Sequence, residues 1–217
     1  MEAFKFIKLR TNIKKTDEVD ETEKEEISQF IQKNSPMEEE YASNEFFSYV
    51  NRDIITVRDR NNAIKFVFSI QQITHKNVSY IYCGDMVKKL NDKSINLTFI
   101  LIKYMYHKEG LINLLYKNKV FLTFCYNPRI YDLSPCFLKK YSAYDNNLEN
   151  INYSNFLDIF GFSNKSNDGF FYDKAINKNI YISDPHRYKT KNTKLNQYFN
   201  ENILQSDENN NIFYFFF

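Results

Sequence analysis

Glycine and proline are scarce, four of each in 217 residues, and tryptophan is absent. So little glycine excludes collagen-like and linker-like chains. Neither G-x-G-x-x-G nor G-K-[ST] occurs, so no dinucleotide or P-loop phosphate cradle is available. Cysteine is also scarce: Cys83, Cys125 and Cys136 form no C-x-x-C pair, and an odd number without a signal peptide suits a reducing compartment. His75, His107 and His186 lie far apart with no zinc spacing, so no metal is expected. The longest apolar runs, near 97–102 and 212–217, are far too short to span a membrane. The opening MEAFKFIKLR has no signal core and no myristoylation Gly. A cytoplasmic protein is the expectation.

Hydrophobic residues make up 43% and aromatic residues 18%, enough to build a sizeable core and to exclude wholesale disorder. Asn, Lys, Ile, Phe and Tyr together supply 111 of the 217 residues. A/T-rich codons favour those five amino acids, which suits an A/T-rich genome such as a viral or protozoan one. The net charge of +2 conceals an asymmetry: residues 1–50 hold 7 basic and 12 acidic side chains, and the remainder 22 and 15. A mildly basic body suits a nucleotide, coenzyme A or nucleic acid, with solvated lysines as the plain alternative. It is not the dense basic stripe of a duplex-DNA binder.

Alternation over 4–9 predicts a first strand. Residues 20–33 predict a helix, with acidic residues in the first turn and Ile27, Phe30 and Ile31 at helical spacing. A short helix capped by Ser43 follows, running through Val50. The runs at 54–58, 63–70 and 78–83, separated by polar turns, predict an antiparallel meander. A loop is expected over 84–93, then a largely buried helix over 94–108 ended by Gly110. A strand at 120–126 and a helix at 134–143 with Ser134 and Pro135 at its start come next. Short strands are expected at 170–172, 180–182 and 212–217. The fold class is α+β, a mixed and largely antiparallel sheet flanked by helices. Residues 1–146 are expected to form the core domain and 147–217 an extension packed on it.

That element order resembles the Gcn5-related N-acyltransferase (GNAT) superfamily. Residues 37–146 resemble the N-terminal half of protein N-myristoyltransferases: the acidic-aromatic stretch MEEEYASNEFF at 37–47, IKFVFSI at 64–70, KKLNDKSINLTFI at 88–100, FLTFC at 121–125 and CFLKKY at 136–141. The match is diffuse and covers about half the chain. It implies binding of an acyl-CoA, acetyl-CoA or myristoyl-CoA, and an amine or peptide acceptor. The loop before the long helix would wrap the pyrophosphate through Asn91, Asp92, Lys93, Ser94, Ile95, Asn96 and Leu97, with Lys88 and Lys89 as cationic support. Unpaired N–H groups and the dipole at a helix start favour such an anion in general. By the resemblance, the backbone N–H groups of Cys83 and Gly84 would hold the thioester oxygen, and Thr123 would help to position the amine. The Phe217 carboxylate would act as general base, since partial desolvation raises a carboxylate pKa.

Each residue also has a plain structural reading: Cys83 as a buried strand cysteine, Thr123 as a good β-former, and the lysines as a solvated face. A terminal edge strand, paired with the sheet and buried only for stability, is the plain reading of 212–217. A Cys136–His107 protease pair has no support beyond the presence of both residues. The family's loop has arginines near positions 91 and 94, whereas this chain has Asn91 and Ser94, with Asp92 between. Two functions therefore stand: an acyl-CoA-dependent N-acyltransferase, or an inactive copy of that fold serving as a structural or partner-binding protein, for instance in a virion. A single-stranded nucleic-acid role rests only on aromatics and a modest basic excess.

Overall fold

The computed structural model describes residues 9–35, 42, 46–48, 51–89, 92, 95–125, 140–142, 144, 158–160, 170–172, 189–204 and 210–216. Two compact units divide the chain: Met1–Gln72 with Cys83–Lys117, and Ile73–Tyr82 with Asn118–Phe217.

The first unit opens on strand β1 (Arg10–Lys15), C-terminal to the alternation at 4–9, of which residues 4–8 lie outside the described residues. Helix α1 (Glu21–Asn34) follows. Asp20 caps it, its carboxylate accepting the Glu23 N–H at 2.9 Å, so one of the orphan donors of the first turn is satisfied. Ile27 and Ile31, one turn apart, put their side chains fully into a cluster with Val19, Ala42, Phe46, Ile54, Ile64, Val67 and Val87. Burying each isoleucine stabilises the unit by about 1.5–3 kcal/mol. The polar side of α1 is tied down by charge: the buried Arg58 guanidinium donates two bonds to Glu26, at 2.6 and 2.8 Å, and Lys14 meets Glu23 at 2.5 Å. Only Phe46–Ser48 of the expected second helix is helical among the described residues, and Ser43 lies outside them.

The meander is present and longer than its apolar runs suggest: β2 (Asp53–Arg58), β3 (Ile64–His75) and β4 (Val78–Lys88). β1 pairs antiparallel with β2 from Arg10↔Arg58 to Lys15↔Asp53, and β2 with β3 from Asp53↔Ile70 to Arg58↔Ile64. Asp59 shapes the β2–β3 turn by accepting the N–H groups of Asn61 and Ala63. Lys76 and Asn77 both have positive φ, 46° and 61°, as a two-residue hairpin with right-twisted strands requires. The expected loop over 84–93 is corrected here, because 84–88 continue β4. Alternation fades after Cys83, yet the strand persists because backbone pairing does not need it.

Helix α2 (Leu97–Tyr116) begins three residues after Ser94, capped by Asn96, whose side chain accepts the Phe99 N–H at 3.1 Å. Gly110, at φ 74° and ψ 174°, breaks the helix where a C-cap was expected, but the chain resumes helix to Tyr116. Within this unit the strand order is β1-β2-β3-β4.

In the second unit the order is β4-β5-β8-β6, with β7 also on β8. These strands are β5 (Asn118–Cys125), β6 (Lys140–Ser142), β7 (Phe170–Tyr172) and β8 (Asn210–Phe216). β8 pairs antiparallel with β5 along one side (Phe121↔Phe216 to Cys125↔Ile212), and with β6 and β7 along the other. It is an interior strand, not the terminal edge the sequence suggested. Lys140–Ser142 is strand and not the end of a helix over 134–143, of which 134–139 and 143 lie outside the described residues, as does 180–182. Helix α3 (Thr193–Phe199), hidden in a polar stretch, is capped by Asn192 and buries Leu195 and Phe199. The architecture is α+β.

Candidate functional site

The middle of β4 is where the first unit brings polar groups into its interior. Ser69 on β3 is fully buried, and its hydroxyl accepts the Asp85 N–H at 2.9 Å. A Cβ at Gly84 would lie 2.4 Å from that hydroxyl oxygen, 3.1 Å from the Ser69 carbonyl and 3.5 Å from an Arg52 guanidinium nitrogen. Only glycine lets the strands approach this closely. The buried Arg52 guanidinium stands 4.0 Å from the Asp85 carboxylate, which is partly open to solvent. A side-chain hydroxyl thus takes a strand N–H beside a buried cation and its partly exposed carboxylate partner.

A second polar set joins β2 to α2. Asp53, buried on β2, accepts the Tyr104 hydroxyl at 2.7 Å on one oxygen and the Lys108 ammonium at 2.8 Å on the other. Tyr104 is fully buried, and its phenol pKa is pushed up by burial first, then by the Asp53 carboxylate. Cys83 is buried as well, and burial alone pushes its thiol pKa up. A thiol so desolvated holds its proton and is no nucleophile. Cys83 is the buried strand cysteine of the plain reading.

The remaining candidates fall as follows. Lys88 and Lys89 are exposed at the end of β4, and Asp92 is half-buried. Ile95 and Asn96 precede α2, Leu97 is its first residue, and Asn91, Lys93 and Ser94 lie outside the described residues. Thr123 is buried in the second unit, on β5 opposite Tyr214 of β8. Phe217 lies outside the described residues. Cys83, Gly84 and Lys88 therefore lie on β4, Lys89 follows it, and the start of α2 belongs to the same first unit.

Sequence reasoning missed Arg52, Asp53, Ser69, Asp85, Tyr104 and Lys108. One signal was present: Arg52 and Asp53 head a strand whose other residues are mostly apolar, and a charge about to be buried needs a partner elsewhere.

No family model and no curated protein matches the chain. Among solved structures, the chain is similar to an acetyltransferase of the GNAT family from Desulfovibrio desulfuricans, at 9% identity and TM-score 0.42, over 61% of this chain and 87% of that one. It is similar to a ribosomal-protein-alanine N-acetyltransferase from Brucella melitensis, at 5% identity and TM-score 0.39, over 53% and 80%. An aminoglycoside acetyltransferase from an uncultured soil sample shares 9% identity at TM-score 0.35, over 53% and 76%.

Proposed function

We propose that the protein binds an acyl-CoA and is an acyl-CoA-dependent N-acyltransferase of GNAT-like fold. One observation carries this reading: β4 passes through the close contact at Gly84 and ends at exposed Lys88, exposed Lys89 follows it, and the next described helix along the chain is α2 with its capped start. In the proposed reaction the backbone N–H groups of Cys83 and Gly84 hold the thioester oxygen as negative charge develops there. Donors of this kind are worth about 3–4 kcal/mol each. The amine attacks the carbonyl carbon directly, an N–C bond forms as the C–S bond breaks, and coenzyme A leaves with the proton the amine loses. Direct attack is supported by the sealed Cys83 thiol, which offers no covalent route. The finer reading, an N-myristoyltransferase-like half with a long-chain acyl-CoA, rests on the residue pattern over 37–146. So does a role for Thr123 in placing the amine. A core over 1–146 and a cytoplasmic or virion location stay part of the proposal.

A second reading, binding without turnover, is favoured by the same polar set: the Tyr104 phenol is committed to Asp53 and Cys83 is closed off, so neither supplies a proton. Thermal-shift and calorimetric titration with acetyl-CoA and myristoyl-CoA, paired with a thiol-release assay, separates the two. Saturable stabilisation of about 2.7 kcal/mol at a hundredfold excess over Kd is expected. Lys88→Glu with Lys89→Glu should abolish it, while the same change at Lys191 and Lys194 should not. Equal loss from both pairs, or no stabilisation at all, overturns the proposal. Stabilisation without thiol release selects the binding-only reading.

A further inference from the structure

All the large hydrophobic side chains that stand exposed among the described residues lie on a single element, α2. Before the Gly110 break, Ile102 and Tyr106 point outward one turn apart, on the side opposite the buried Ile100, Leu101, Tyr104 and Met105. Beyond the break, Leu111, Ile112, Leu115 and Tyr116 have the i, i+1, i+4, i+5 spacing of one helix face and are 58% to 83% exposed. A single helical turn and a half has no intrinsic stability in water and is ordinarily held by packing of its apolar face. Here that face meets solvent.

We infer that the outer face of α2 is a homodimer interface, covered by α2 of a second copy of this chain about a two-fold axis. Area is the argument for this occupant. Taking about 150–250 Å² for a fully exposed aromatic side chain and somewhat less for an aliphatic one, the six residues offer on the order of 700 Å². That equals, within the precision of the estimate, the ~800 Å² per partner of a standard specific interface. A two-fold contact also requires one patch to complement itself, and a helix face of Leu, Ile and Tyr does so by interdigitation. Lys103 and His107 lie at its margin, which places polar groups at a rim and apolar ones at the centre.

The test is sedimentation velocity of the full chain from 1 to 100 μM, beside Ile112→Lys with Leu115→Lys. Both positions are mostly exposed, 74% and 67%, so the variant should keep its circular dichroism spectrum. The expected result is a dimer for the natural sequence and a folded monomer for the variant, with the dimerisation constant weakened at least a hundredfold. A control at the exposed Arg60, Arg60→Glu, should leave the dimer intact. A natural chain that stays monomeric at 100 μM overturns the inference, and so does a dimer that survives the double change. A monomer that instead co-sediments with phosphatidylcholine–phosphatidylserine vesicles through Ile112 and Leu115 overturns it in favour of a lipid surface.

Discussion

An alanine at position 84 would bring its methyl carbon to 2.4 Å from the Ser69 hydroxyl oxygen and 3.1 Å from the Ser69 carbonyl. The hydroxyl has little room to yield, because it is fully buried and already holds the Asp85 N–H. Gly84→Ala should therefore cost about 1–3 kcal/mol, the usual range for overpacking. Ser69→Ala alone should cost about 1–3 kcal/mol by leaving the Asp85 N–H without that acceptor. The double variant should be less destabilised than the two together, because removing the hydroxyl removes the closer clash. Urea unfolding of the four proteins measures the cycle, and strict additivity would refute the steric account. Gly84 drew notice in the sequence through a family resemblance, as an N–H donor. Its contact with Ser69 was not legible, because nothing local to either residue reveals a partner on the facing strand.

At the scale of elements, α2 is held to the first unit at two polar points as well as by its buried side chains. Toward its middle, Tyr104 and Lys108 share Asp53; beside the break, buried Glu109 accepts from Gln72 and pairs with Lys117 at 3.5 Å. Tyr104→Phe keeps the packing and removes one of the two donors to a buried carboxylate. A loss of about 1–3 kcal/mol is expected, read as a lower urea midpoint with an unchanged slope. An unaltered midpoint would show that Lys108 alone satisfies Asp53. The existence and type of α1, α2 and the meander were legible, since periodicity is a local signal. Ile27, Phe30 and Ile31, for instance, stand at helical spacing. The end of β4 was not legible, because Gly84–Lys88 has mixed polarity and is strand through its pairing. Nor was the tie of Asp53 to Tyr104, made across 51 residues of sequence.

At the scale of the molecule, β8 organises the second unit by accepting three strands: β5 on one side, β6 and β7 on the other. Deleting 210–217 should strip β5, β6 and β7 of amide-exchange protection while β1, β2 and α1 keep theirs, as hydrogen–deuterium exchange would report. Equal loss in both units would overturn that assignment of roles. The apolar run at 212–217 announced a strand, yet its interior position was hidden, because β6 and β7 are only three residues each. The register Phe121↔Phe216 also has a temporal side. At about 5–20 residues per second of synthesis, β5 leaves the ribosome some 5 to 20 seconds before its partner exists. During that interval one of its edges lies open to any passing strand, so the second unit is the slow and aggregation-exposed half of this chain's biogenesis.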